Sequence, residues 1–191
     1  MIEIGMYPKK VTLREGTTLT IRLMGHEDAE GLLQFFLSVP EGERWYLKED
    51  VTSPRVLQRW SEDIDYRRAL PLLAVTEDNR IVADAVLIRR RGGSRSHIAE
   101  FRIVVAPDFR SRGLGVMLIR ELCDIANDAG LERIVAEMVL GAEDDAINAA
   151  EWLGFYKVAT LEGFAKDQQG RDCDVVIMTM PLGRYYEWSK F

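Results

Sequence analysis

Arg110, Gly113 and Gly115 stand as R-x-x-G-x-G inside VVAPDFRSRGLGVMLIRELCDIA, residues 104–126. A β-branched run ends at Pro107, and an apolar-periodic helix begins at the glycines. Such a strand-to-helix turn suits a pyrophosphate. Glycine lets the main chain approach an anion closely and adopt conformations that other residues resist. The first turn of a helix carries unpaired N–H groups and a partial positive charge, so main chain alone can hold an anion there. Arg110 and Arg112 either add charge at the rim of the turn or are simply solvated. Two other phosphate-binding patterns do not fit: there is no P-loop lysine, and GLGVML lacks the third glycine of a dinucleotide fingerprint.

The elements that must position this turn are legible on both sides of it. VTLREGTTLTIRLM reads as two short strands around Glu15-Gly16. HEDAEGLLQFFLSV reads as an amphipathic helix starting near Gly25 or His26. TSPRVLQRWSEDI reads as a helix with Ser53 as N-cap and Pro54 at its first position. LPLLAVTE and IVADAVLIR are strands joined at Asp78-Asn79, and a hairpin through Gly92-Gly93 leads into HIAEFRIVVAP. The long helix follows, about Gly113 to Asp128, stopping at Gly130. Then come the strand LERIVAEMVL, the helix EDDAINAAEWL, and the strands FYKVATLEGF and RDCDVVIMTMPL. The order ββααβββαβαββ predicts an α/β fold, a mixed but mostly antiparallel sheet flanked by helices. We read residues 1–191 as a single domain, with 183–191 an aromatic tail of unassigned role.

The chain has 191 residues, 47% of them hydrophobic and 29% charged, which is ordinary globular composition. A net charge of −6 argues against nucleic acid or an anionic membrane as partner. Cys123 and Cys173 lack metal-ligand spacing and have only His26 and His97 for company, so no metal site is expected. Two free thiols, an N-terminus without an apolar signal core and no long apolar run point to a cytoplasmic protein.

Val105-x-Pro107, Arg110-x-x-Gly113-x-Gly115, the helix Val116 to Gly130, and Leu153-Gly154-Phe155 together resemble the GNAT superfamily of acyl-CoA-dependent N-acyltransferases. The span from about Thr18 to Pro181 fits that family's order of elements. AEFRIVVAPDFRSRGLGVMLIRELCDIANDAG is most similar to the GNAT domain of bacterial Pat-type protein lysine acetyltransferases. The resemblance implies acetyl-CoA as co-substrate and no metal. It implies that the backbone N–H groups of Arg110, Ser111, Arg112, Gly113, Leu114 and Gly115 hold the CoA pyrophosphate. Val104 and Val105 would offer main chain to the pantetheine arm, as an added strand does, and the Val105 amide would polarise the thioester carbonyl. The acceptor would be a primary amine, on a protein lysine or a small molecule; a homodimer is left open.

Acyl transfer needs a neutral amine, and at pH 7 only about one lysine in ~2,500 is free base. A general base is therefore useful. Strand alternation puts Glu100, Arg102 and Val104 on one face and Ala99, Phe101 and Ile103 on the other. Glu100 matches the glutamate that Pat-like enzymes use as base, and partial burial would raise its pKa to suit; it also reads as a solvent-facing residue paired with Arg102 or a cross-strand arginine. Glu137, in IVAEMVL, is the second candidate, on a strand expected beside that of Glu100. Many family members carry a tyrosine four residues before the glycine of LGF as general acid, and an asparagine at the start of that helix. Here those positions are Ala150 and Glu143. That departure keeps a second reading open, a catalytically weak CoA- or acetyl-CoA-binding regulatory module. Trp45 and Tyr46 lie in a region that the resemblance implies walls the acceptor site; for Trp45, packing in the core is the alternative. The carboxylates Glu41, Glu43, Glu49 and Asp50 beside them would then favour a cationic amine. Arg89, Arg90, Arg91 and Arg95 cluster at a hairpin turn, which reads as a solvated loop or as a patch for the CoA 3′-phosphate or an acidic partner.

Overall fold

The computed structural model describes residues 5–90, 92–183 and 186. Its centre is an eight-stranded sheet in the order β1-β2-β3-β4-β5-β6-β8-β7. β1 (Lys9–Thr12), β2 (Thr18–Leu23), β3 (Ala69–Val75), β4 (Ile81–Arg89) and β5 (Ile98–Val105) form an antiparallel run. β6 (Arg133–Val139) pairs antiparallel with β8 (Asp172–Pro181), which pairs antiparallel with β7 (Tyr156–Lys166). The two runs meet in a single parallel pairing, β5 with β6, limited to Ile98–Glu100 against Arg133–Val135. The mixed, mostly antiparallel sheet expected from the sequence is what forms.

The parallel pair is joined by α4 (Leu114–Asp128), as a parallel connection requires. Its apolar stripe buries Leu114, Leu118, Ile119, Leu122, Cys123 and Ala126, so Cys123 is packing. Gly130, at φ 74°, ends the helix in the left-handed conformation. α5 (Asp144–Trp152) packs beside α4. α1 (Ala29–Ser38) and α3 (Pro54–Glu62) pack on each other, with Phe36 edge-on to Trp60.

Three local details differ from the sequence reading. The first helix opens with a 3-10 turn, His26–Asp28, where Asp28 binds Arg22 through both carboxylate oxygens at 2.6 Å. The extra short helix α2, Glu41–Arg44, follows Pro40; four residues are too few to show a helical period. Ser53 sits at the N-cap of α3 but makes no side-chain cap bond; only its carbonyl accepts, from Val56 and Leu57. Arg91 and most of the 183–191 tail lie outside the described residues; Tyr186 is described, and its hydroxyl bonds Asp124 at 2.9 Å.

Candidate active site

Beyond Glu100 and Val135 the β5–β6 ladder stops. The gap that opens there is the feature around which the site is built. On the other edge of β5, the Ala106 N–H donates to Val82 O at 2.9 Å. Alternation in an antiparallel ladder then turns the Val105 N–H and C=O away from β4, towards the gap. Val105 therefore carries a main-chain donor at the place where β6 has parted from it.

Pro107 ends β5, and a 3-10 turn, Pro107–Phe109, leads to the glycines. Phe109 is buried, with Arg80 and Arg112 stacked over its ring at 5.5 and 5.1 Å. Ser111 and Gly113 both take left-handed φ, 57° and 87°. Gly113 is the residue the backbone requires here. At Gly115 an added Cβ would lie 3.9 Å from Val105 Cγ2, ordinary contact. Gly113 caps α4, leaving the N–H groups of Leu114, Gly115 and Val116 as first-turn donors. A cavity of about 570 Å³ opens here, lined by Val104, Val105, Arg110, Ser111, Gly113, Gly115 and Glu143 among others.

The arginines of the turn are committed elsewhere. Arg110 donates to both oxygens of Glu43, at 3.0 and 2.5 Å, and its Nε donates to Val105 O at 3.0 Å. Arg112 bonds Glu15 at 3.2 Å. The anion-binding character of the turn therefore rests on main-chain groups and the helix end.

At the closed end of the gap, where the strands begin to part, Lys48 bridges the two candidate carboxylates. Its Nζ donates to Glu100 Oε1 at 2.9 Å and lies 3.5 Å from Glu137 Oε2. Arg102 also donates to Glu100, at 3.2 Å. Burial alone would raise the Glu100 carboxyl, but Lys48 and Arg102 outweigh it and hold the group below its usual range. This corrects the expectation of a raised pKa; the partner that decides it, Lys48, is 52 residues away in sequence.

Two carboxyl groups that sequence reasoning did not weigh as acids or bases stand near β5. Half-buried Glu143 accepts from the Val139 N–H at 2.6 Å and lines the cavity, and burial pushes its carboxyl up against that bond and the Lys48 charge. Asp84 on β4 is directly opposite Val104, only 7% exposed, and its Oδ1 is buried without a hydrogen-bond partner. Burial pushes it up to about 7. Its only sequence signal is a lone charge in the apolar run IVADAVLI.

Trp45 is 53% exposed, so the core-packing alternative fails; its Nε1 donates to Lys166 O at 2.7 Å. Tyr46 approaches Cys173 Sγ at 3.9 Å. The neighbouring carboxylates are mostly engaged within the chain: Glu43 with Arg110, Glu49 with Arg59, Asp50 with Thr52. Arg89 donates to Arg67 O, and none of Arg89, Arg90 and Arg95 lines the cavity. Ala150, at the position of the absent tyrosine, is fully buried. Among the described residues no group of three or more His, Cys, Asp or Glu could hold a metal ion, and no helix is long and apolar enough to cross a membrane.

The pattern that defines the Acetyltransferase (GNAT) family matches residues 35–155. A [ribosomal protein bS18]-alanine N-acetyltransferase of Salmonella typhimurium is 35% identical over 82 residues; the match covers 43% of this chain and 54% of that protein. The chain thus spans about half the length of that relative. Among solved structures, the GNAT domain of S. lividans PAT superposes with a TM-score of 0.74 at 21% identity, covering 91% of this chain and 96% of that one. A phosphinothricin acetyltransferase of Sinorhizobium meliloti, in complex with AcCoA, superposes with a TM-score of 0.72 at 23% identity, covering 86% and 89%.

Proposed function

Because the chain belongs to the GNAT acetyltransferase family, we propose that it transfers the acetyl group of acetyl-CoA directly to a primary amine. The observation that carries this reading is the meeting of three features on β5: the main-chain turn, the cavity before it, and the gap into which the Val105 N–H is turned.

The residues present fit acetyl-CoA. The left-handed Gly113 and the first-turn donors of α4 suit its pyrophosphate. The Val105 N–H, turned into the gap, suits its pantetheine arm; the Val104 main chain is turned to β4 instead, which narrows the sequence expectation to Val105. When bound it supplies a thioester, an acyl group on a good leaving thiolate. Val105 donates its N–H to the carbonyl oxygen as charge develops there. The amine nitrogen bonds to the carbonyl carbon, the C–S bond breaks, and its electron pair leaves on sulfur. The surplus proton of the amine passes to a carboxylate. Glu100 and Glu137 fill that role, bridged by Lys48 where the two strands begin to part. Glu100 lies four residues before Val104, ~13 Å along the strand, so water relays the proton over part of the distance. Glu143, whose carboxyl burial pushes up, lines the cavity and is the side chain we propose to return a proton to the thiolate in place of the missing tyrosine.

The Salmonella relative is named for an alanine of a ribosomal protein, and the resemblance to Pat-type enzymes points to protein lysine. Both are primary amines, and that class is the acceptor we propose. The ion-paired Glu100 and the buried Ala150 favour the second reading, a CoA-binding regulatory module.

Calorimetric titration with acetyl-CoA tests the reading. Wild type is expected to bind in the micromolar range. Gly113→Asp puts a negative charge at the helix end and is expected to weaken binding at least 100-fold. Gly113→Ala adds only the strain of a left-handed residue and is expected to cost less. Equal binding by wild type and Gly113→Asp removes the turn from the site. Binding without transfer to any amine selects the regulatory module.

A further inference from the structure

A second cavity, of about 600 Å³, lies against β5 and shares Leu47, Ile103 and Val104 with the first. Its walls are mostly apolar: Met24, Phe36, Val51, Trp60, Val86 and Ile88. Charged side chains at its rim are largely neutralised by one another. Arg59 is paired with Glu49, Arg102 with Glu100, and Lys48 with Glu100 and Glu137. Asp84 is different: it lines the cavity from β4, more than nine-tenths buried, with an oxygen that has no partner.

An isolated buried carboxyl without a hydrogen bond costs stability, and such a group calls for an explanation. Register gives one. Asp84 is directly opposite Val104, so their Cα atoms are ~5.5 Å apart and their side chains share a face. That is far nearer the proposed thioester position than Glu100, ~13 Å along the strand.

We propose that this cavity is the acceptor site and that Asp84 is its specificity-determining residue, pairing with the ammonium of a primary amine carried on an apolar alkyl or aryl stem. The assignment rests on the acetyltransferase reading above. The apolar walls take the stem. The ammonium gives Asp84 the partner it lacks and favours its ionised form. A neutral or anionic head group would leave the carboxyl unpaired or repel it.

Binding in the absence of acetyl-CoA tests this separately from transfer. The probes are phenethylamine, its neutral counterpart 2-phenylethanol, and Nα-acetyl-lysine amide as a stand-in for a protein lysine. Each is titrated into wild type, Asp84→Asn and Val86→Phe and followed by NMR line shifts. Acetyl-CoA titration of each variant shows that it has folded. We expect at least one of the two amines to bind wild type, at least 10-fold more tightly than Asp84→Asn. We expect 2-phenylethanol to bind more weakly, with no change in that variant. Val86→Phe, which fills the cavity, should weaken both amine and alcohol. The amine that binds more tightly identifies the source, small molecule or protein lysine. Equal amine binding by wild type and Asp84→Asn overturns the proposal, as does failure of both amines to bind a wild type that binds acetyl-CoA. Loss of acetyl-CoA binding by wild type defeats the acetyltransferase reading instead.

Discussion

The two cavities that meet on β5 are built from different material. The one before α4 is made by main chain: a left-handed glycine, three first-turn donors and a strand whose N–H turns into a gap. Its arginines hold the loop in place through Glu43, Glu15 and Val105 O. The one beyond β5 is made by side chains from distant segments, α1, α3, the loop after α2, β4 and β5. Main-chain geometry depends on few residue identities and so binds one constant group. A side-chain cavity changes its ligand with each substitution. The division suits an enzyme with a fixed donor and an acceptor particular to each member.

The largest way to test that division is at the proposed base. Glu100→Gln keeps size and burial but removes the proton acceptor, and kcat is expected to fall by about 10²–10⁴. Acetyl-CoA affinity should not move, because Glu100 lies outside the main-chain cavity. Steady-state kinetics beside calorimetry read the two effects apart. Unchanged kcat removes Glu100 from the mechanism and shifts the role to Glu137.

Asp84 gives the next effect, in stability. Its carboxyl is raised from 3.8 to about 7 by burial, so the unfolded chain ionises more readily than the folded one. The folded state therefore suffers no penalty from this group below pH ~4. It loses stability as pH rises towards 7 and levels off above. A shift of that size corresponds to at most ~4 kcal/mol. Asp84→Asn removes the titration, and we expect it to be more stable than wild type by ~2 kcal/mol or more at pH 8, with the gain shrinking towards pH 4. Denaturant midpoints at the two pH values measure it. A variant less stable than wild type at pH 8 would mean that the carboxylate has a partner in the folded chain.

The same division explains what was legible in the sequence. The turn was, because Pro107, Gly113, Gly115 and the apolar stripe of α4 act through local backbone rules, and each lies within a few residues of the next. The succession of strands and longer helices along the chain followed from periodicity, and the register placed Glu100 and Arg102 on the face that the alternation assigns. The pairing of Glu100 with Arg102 was one of two readings the alternation allowed, but the balance of charge was not legible, since it is set by Lys48 from a loop whose helix, α2, is too short to read. The commitment of Arg110 to Glu43 spans 67 residues. Asp84 had no motif to mark it: its meaning comes from what it lacks, and a missing partner cannot be seen along one chain.

Lys48 offers the smallest and most discriminating effect. Its ammonium and Arg102 keep Glu100 ionised to a lower pH than usual, against the pull of burial. Lys48→Met removes one of the two charges while keeping an apolar stem of similar length, so the Glu100 pKa should rise. A base works only when deprotonated; the acidic limb of kcat against pH is therefore expected to move to higher pH. Activity on the plateau should hardly change. The exposed pair itself contributes on the order of 0–1 kcal/mol, so the fold should tolerate its loss. Glu100 below its usual range implies a contribution to stability that is present above about pH 4.5 and fades as pH falls through its folded value; part of that fading should vanish in Lys48→Met. If the limb stays where it is, the group that titrates in the reaction is not Glu100. Movement of the limb with a constant plateau ties the base to the Lys48 bridge and separates it from Asp84, which lines the same cavity but has no ion pair with Lys48.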